Sequence, residues 1–271
     1  MNKKYTYISG IDEAGRAVRK ASEPPAISEV RSGERRPVPY LIGIDEAGRG
    51  PLAGPIVVAG VLVPRRIARG LFKGIRDSKK LSAKQREEWF FRLTNVPELA
   101  WATAAVWPKV IDRINIARAA DRGAWRVCQK FHLSLSAISP HSLSSGSSPF
   151  KNMQVRSDRF LLACLSHHEI LLDGGLKLPT RIPHRAIIKG DEKIPVIAAA
   201  SIIAKVTRDR IMVRLHKKHP LYRFDLHKGY GTELHRGVIA AVGISPLHRK
   251  TFCTRFFTLR SSDESDSIMT W

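Results

Sequence analysis

From Tyr40 onward, apolar and polar positions alternate in blocks. Tyr40–Asp45 and Ile56–Val63 are apolar runs joined by a turn rich in Gly and Pro, and both read as strands. Ser82 opens a helix: Gln85 stands three positions on, a capping-box spacing, and the apolar Trp89, Phe90 and Leu93 follow. Ala100–Trp107 predicts a strand, and Asn115–Lys130 a helix unusually rich in Arg. His132–Ser157 is Ser-rich and weakly patterned, which predicts a loop insertion. Glu169–Asp173 and Arg185–Gly190 are short runs at the edge of Gly, both expected to be strands. Ile197–Leu215 predicts a long helix, with small residues around its start that suit close packing. Thr232–Val242 predicts a final amphipathic helix. Strands and helices mixed in this way imply an α/β domain built on one central sheet.

The flanks read differently. Residues 10–16 and 43–49 both spell GIDEAGR. The second copy leads through GPLAGP into an apolar strand. The first leads into a polar, Pro-rich stretch with no strand to pair against. Residues 1–39 are therefore expected to be a largely disordered extension carrying a degenerate repeat, and residues 40–256 the domain proper. The tail at 257–271, with its SSDESDS run, is expected to be disordered.

Composition adds a partner. The chain has 271 residues, 43% of them hydrophobic, enough for one sizeable core. Its 46 Lys and Arg against 24 Asp and Glu give a net charge of +22, which is tolerated most easily beside a polyanion such as nucleic acid. A basic protein with no chemistry of its own fits the charge equally well. Cys128, Cys164 and Cys253 lie far apart without CxxC spacing, as in a reducing compartment. The longest apolar runs fall far short of the roughly 20 residues a membrane span requires. With no apolar signal core at the N-terminus, the expected location is the cytoplasm.

Four acids stand where the chain is expected to reverse. Asp45 and Glu46 end the first predicted strand, Asp173 ends EILLD before Gly174-Gly175, and Asp191 follows IIKG. Acids at strand ends beside Gly can converge on one side of a sheet, where their repulsion is relieved by bound cations. Hard oxygen ligands favour Mg²⁺ or Mn²⁺, and two such ions can clamp both oxygens of a phosphodiester displacement. Against this, an isolated strand-end Asp is usually a turn or cap residue. Neighbours in a regular strand also face opposite ways, so Asp45 and Glu46 can share a site only where the strand ends or bends.

A set of segments in fixed order narrows the choice. GIDEAGRGPLAGPIVVAG (43–60), DSKKLS (77–82), IDRINI (111–116), LLDGG (171–175), KGDEKIPVIAAASIIAKVTRDR (189–210), HKGYGT (227–232) and SPLHRKTF (245–252) resemble the signature of ribonuclease HII. The resemblance implies a ribonuclease-H-like α/β fold: a central mixed sheet flanked by helices, with a C-terminal helical part closing over the substrate. It implies Asp45, Glu46, Asp173 and Asp191 as catalytic and metal-holding acids, with Mn²⁺ or Mg²⁺ as cofactor. Gly48, Arg49 and Gly50 match the tripeptide that senses a ribonucleotide 2′-hydroxyl through backbone groups. Tyr230 matches a tyrosine that stacks on the following sugar, and Lys79, Lys80 and Lys205 are expected at phosphates. Asp209, well inside a helix, is better explained as a structural ion pair. His227 and His248 fall inside matching motifs without a role, and His167 and His168 show no ligand pattern.

The implied activity is hydrolysis of the RNA strand of RNA–DNA hybrids and cleavage 5′ of ribonucleotides embedded in duplex DNA, leaving 3′-hydroxyl and 5′-phosphate ends. The expected partners are those duplexes, with no membrane, and the default state is a monomer. A junction resolvase or transposase of the same fold would have no use for the GRG and GYGT segments. A decayed hybrid-binding protein would bind without cutting; all four acids speak against it, and the Ser-rich insertion keeps it open.

Overall fold

The computed structural model describes residues 10–11, 17–18, 40–75, 78–138, 165 and 168–254. At its centre lie three antiparallel strands, β3 (Tyr40–Ala47), β4 (Ile56–Pro64) and β5 (Ala100–Val106). On the other side of β3, β6 (Glu169–Asp173) and β7 (Arg185–Ile187) continue the sheet in parallel. Two-residue strands β1 (Gly10–Ile11) and β2 (Ala17–Val18) extend the β5 edge, so the order is β1-β2-β5-β4-β3-β6-β7. The expectation that residues 1–39 have no strand to pair is thus corrected at four residues. The rest of that segment, and the 257–271 tail, lie outside the described residues.

Helices cover both faces. β4 is buried at every position, which is why it reads as an unbroken apolar run rather than an alternating one. On one face, Ile42, Ile44, Val58 and Leu62 pack with Ala120, Val127 and Phe131 of α4 (Ile116–Ile138). On the other, Ala59, Val61 and Val63 pack with Val196, Ala199, Ala200 and Ile203 of a long helix, Pro195–Lys218. That helix approaches closely: a Cβ on Gly43 would sit 2.5 Å from the Val196 carbonyl carbon. This buried seam of small residues sets the helix against β3 and so fixes the register of everything it carries.

Shorter helices fill the connections: α1 (Arg65–Leu71), α2 (Ala83–Thr94) with the Ser82–Gln85 capping box formed, α3 (Pro108–Ile114), and a single turn α5 (Gly190–Lys193). The long helix is α6. After it come α7 (Phe224–His227) and α8 (Glu233–Val242), which gather on Ala53, Met212 and Tyr222 as a C-terminal helical part. Two boundaries differ from expectation. The helix at 116 runs on through 132–138, because adding a turn to an existing helix needs no new nucleus, so the Ser-rich stretch begins as helix. Residues 139–157 lie outside the described residues. The strand expected over 185–190 stops at Ile187, and Asp191 lies in α5 rather than at a strand end. Among the described residues, no helix is long and apolar enough to cross a membrane.

Candidate active site

Sheet pairing brings three acids together. Parallel pairing of β3 with β6 runs from Leu41↔Glu169 to Ile44↔Leu172, so the next step sets Asp45 level with Asp173 and Glu46 level with Gly174. Asp45 lies on the α6 face, where the Ser201 side chain hydrogen-bonds its carboxylate. Glu46 faces the other way by the pleat, but β6 has ended and Gly174 and Gly175 add no side chain, so its carboxylate reaches the group. One ligand oxygen from each of Asp45, Glu46 and Asp173 lies within 4.8 Å of the others. The sequence expectation that Asp45 and Glu46 end the strand is corrected: β3 stays paired to β4 through Ala47, and only its β6 side is open.

Electrostatics match the crowding. Burial, then the charges of Glu46 and Asp173, pushes Asp45 well above the usual carboxylate range; the Ser201 and Glu46 N–H hydrogen bonds oppose this. Burial also raises Glu46, with Asp173 adding to it and Arg49 opposing. Arg49 donates from Nε to Glu46 Oε1 at 2.9 Å and from Nη2 to the Gly175 carbonyl at 2.9 Å. Asp173 Oδ1 accepts from the Gly190 N–H at 2.8 Å, which ties β6 to α5. Glu46 Oε2 is buried without a hydrogen-bond partner. An orphaned buried carboxylate oxygen between two further acids, all hard oxygen donors, fits a Mg²⁺ or Mn²⁺ ion. Asp191 stands apart from this group, buried, with an ion pair to Lys79 Nζ at 2.9 Å.

Two buried arginines organise the loop that follows Glu46. Arg249 donates to the carbonyls of Gly48 (2.6 Å), Arg49 (2.8 Å) and Gly54 (3.1 Å). Arg208 donates to those of Pro55 (3.0 Å), Ala53 (3.2 Å) and Lys228 (2.9 Å). Gly48 has φ +93°, and a Cβ there would lie 2.1 Å from Arg208 Nε. Gly50 faces open space. The same loop is stitched to the HKGYGT segment, since Leu52 and Ala53 N–H both donate to the Gly229 carbonyl. Tyr230 thereby lies beside the loop, its ring partly exposed and facing Lys205 Nζ at 5.6 Å and the Arg208 guanidinium at 5.5 Å.

Residues 42–256 match the family model for ribonuclease HII. The chain belongs to the ribonuclease HII family. Ribonuclease HII of Halalkalibacterium halodurans is 38% identical over 213 residues, covering 79% of this chain and 67% of that one. Ribonuclease HII of Chlamydia pneumoniae is 41% identical over 212 residues, covering 78% and 82%. Among solved structures, ribonuclease H2 from Pyrococcus horikoshii OT3 superposes with a TM-score of 0.51 at 26% identity, covering 80% of this chain and 99% of that one. Bst-RNase HIII in complex with Mn²⁺ superposes with a TM-score of 0.53 at 18% identity, over 83% and 71%, and shares the fold. The protein is a ribonuclease-H-type nuclease with the expected mixed α/β architecture.

The remaining expected positions divide. Lys205 pairs with Asp209 at 2.9 Å, the helical ion pair expected of Asp209. Lys80 is exposed in a shallow surface cavity with Gln85 and Trp89. Sequence reasoning passed over Ser201, Arg208 and Arg249. The hydroxyl of Ser201 also bonds that of Ser78 at 2.8 Å, linking DSKKLS to the start of α6. The missed signal for Arg208 was its place on the buried stripe of α6, between Ala204 and Ile211–Met212. A guanidinium there needs acceptors, and backbone carbonyls take its Nε and Nη2, while Nη1 stays buried without a partner.

Proposed function

We propose that this protein hydrolyses the RNA strand of RNA–DNA hybrids and cuts 5′ of ribonucleotides embedded in duplex DNA, using two Mn²⁺ or Mg²⁺ ions. The observation that carries the reading is the carboxylate group of Asp45, Glu46 and Asp173 beside a glycine loop that leaves backbone open at Gly50. In the reaction, a water oxygen bonds to phosphorus as the bond to the 3′ oxygen breaks. The 3′ oxygen takes up a proton, and the phosphate stays on the 5′ carbon of the ribonucleotide. Divalent ions, when bound, would supply charge neutralisation at the phosphate and acidify water. Asp45, Glu46 and Asp173 would hold them, and Asp191, which pairs with Lys79, would complete the site or act on the product side.

The protein's own residues supply the rest. Gly48, Arg49 and Gly50 present main chain to the 2′-hydroxyl, the group that separates RNA from DNA. Arg49 orients Glu46. Tyr230 stacks on the sugar beyond the ribonucleotide, and Lys79, Lys80 and Lys205 meet phosphates, fixing the duplex without reading its sequence. The enzyme acts as a cytoplasmic monomer. The test is cleavage of a labelled DNA duplex carrying one ribonucleotide, with Mg²⁺, Mn²⁺ or chelator, beside an all-DNA duplex and Asp45→Asn. A metal-dependent cut 5′ of the ribonucleotide, absent from both controls, is expected. Tight binding with no cut under either metal would refute it and leave a hybrid-binding protein.

A further inference from the structure

Behind the Tyr230 loop lies a cluster that the chemistry above does not use. His227, His235 and His248 are all buried, from 0% to 8% exposed, among Tyr222 and Phe224. The imidazoles of His227 and His235 stack at 4.1 Å, and His235 Nε2 meets His248 Nε2 at 3.1 Å. Two nitrogens at that distance share one hydrogen, so one must donate and the other accept.

The ends of the chain decide which. The backbone N–H of Ser245 points at His248 Nδ1 at 3.0 Å, and a backbone N–H only donates. His248 Nδ1 therefore carries the lone pair, and the ring hydrogen sits on Nε2, directed at His235. His235 Nε2 accepts, so its own hydrogen is on Nδ1, which lies 2.9 Å from the Tyr230 carbonyl, an obligate acceptor. The Ser245 hydroxyl, 2.9 Å from the same Nδ1, accepts from the Leu247 N–H and donates to that lone pair as well, so one arrangement satisfies every partner: Ser245 N–H and O–H to His248, His248 to His235, His235 to Tyr230. The stacked His227 follows the same logic, accepting from the Gly229 N–H at 3.1 Å and donating to the Tyr222 carbonyl at 2.7 Å. Burial holds His235 and His248 down to about 4, so both stay neutral at working pH.

We propose that His248 and His235 form a proton-ordered pair that positions Tyr230 for the nucleic-acid duplex, making both positioning residues of the site. This rests on the proposed role of Tyr230 as a stacking residue. A cluster serving only as packing would need no fixed order of hydrogens, and apolar side chains of similar size would replace it. Here both ends terminate on backbone groups of defined polarity, and one of them is the Tyr230 carbonyl itself.

Imidazole ¹⁵N NMR on the full chain at neutral pH tests the order directly. The expected result is the Nδ1–H tautomer for His235, the less common form of free histidine, and Nε2–H for His248. Nε2–H on His235 would overturn the proposal. The functional arm is a cycle of His235→Leu, His235→Asn and Tyr230→Ala, read as KM and kcat on the single-ribonucleotide duplex. Loss of one buried hydrogen bond predicts that His235→Leu raises KM about tenfold while kcat changes less than about twofold. His235→Asn, whose amide can donate near the position of Nδ1, recovers most of it. In the Tyr230→Ala background, His235→Leu adds nothing further; an undiminished effect there would mean a purely structural role and refute the proposal. Should His235→Leu fail to fold, the tautomers of the unaltered chain decide. If the unaltered protein cleaves no duplex, the proposed function fails instead, and the cycle is read as duplex affinity.

Discussion

Replacing Asp45 by Asn should make the protein more stable in chelator while abolishing its response to metal. Two unit charges 4.8 Å apart repel by about 3.5 kcal/mol at an effective dielectric constant of about 20. Asp45 faces two such neighbours, Glu46 and Asp173, and burial adds to the cost of its charge. Its raised pKa means the site already relieves part of this by binding a proton, so the gain is smaller than the full repulsion, about 1–3 kcal/mol. Asn keeps both hydrogen bonds, accepting from the Glu46 N–H and donating to Ser201 in place of accepting from it. For a domain of this size the gain corresponds to a rise in Tm of roughly 2–10 °C. Metal at a hundredfold excess over its Kd would stabilise the parent by about 2.7 kcal/mol. Thermal denaturation of both proteins with chelator and with a Mn²⁺ series gives all four numbers. A variant no more stable than the parent in chelator, yet stabilised by Mn²⁺ as much, would refute the reasoning that these carboxylates repel and hold the ion.

Arg249→Ala strips three carbonyls of a buried donor. It should cost about 2–4 kcal/mol in urea denaturation, with Arg249→Lys recovering only part, because an ammonium cannot reproduce the guanidinium fork. Gly48→Ala must place a Cβ against Arg208 at a positive φ. Expected are a loss of about 1–3 kcal/mol and a raised KM for the single-ribonucleotide duplex; unchanged values in both assays would show the loop is not held as described. The depressed pKa values of His235 and His248 give a signed pH dependence. Both titrate near 4 when folded and near 6.5 when unfolded, so the unfolded chain binds more protons between these values. Stability should therefore fall as pH drops from about 6.5 towards 4, relative to His248→Gln, which cannot titrate at that position. Parallel stability curves for the two proteins across that window would contradict it.

What the sequence made legible followed from burial. The run at Ile56–Val63 was readable because β4 is covered on both faces, and LLDGG because a strand ending at Gly is a local signal. Less legible was anything set by pairing. That β3 continues past the acids depends on β4 supplying partners through Val57, and that Glu46 can turn inward depends on β6 stopping at Asp173, over a hundred residues away in the chain. Asp191 was placed at a strand end because IIKG is apolar and then turns. The chain instead takes a left-handed residue at Lys189 and a single helical turn, a choice stabilised by the Gly190 N–H bond to Asp173. Arg249 was invisible for a related reason: its partners are carbonyls, which leave no trace in residue type, and Arg208 was betrayed only by its place on the buried stripe of α6.

Those two arginines bear on what the glycine loop can offer to the proposed 2′-hydroxyl contact. A buried guanidinium without a carboxylate is costly, and burial together with the charge of Arg208 lowers Arg249 to about 9, still charged at neutral pH. The arrangement is repaid in orientation. Each loop residue has one backbone donor and one acceptor. With the carbonyls of Gly48 and Arg49 turned inward to Arg249, what those residues retain for a ligand is chiefly their N–H groups. Donors suit a hydroxyl or a phosphate oxygen, and the two cations behind the loop add a positive field towards a polyanion. A neutral side chain at position 249 could fill the space but would leave the carbonyls free to face outward, where they would repel phosphate. The orientation of the glycine loop's backbone donors is thus set from behind, by buried arginine side chains bonded to its carbonyls.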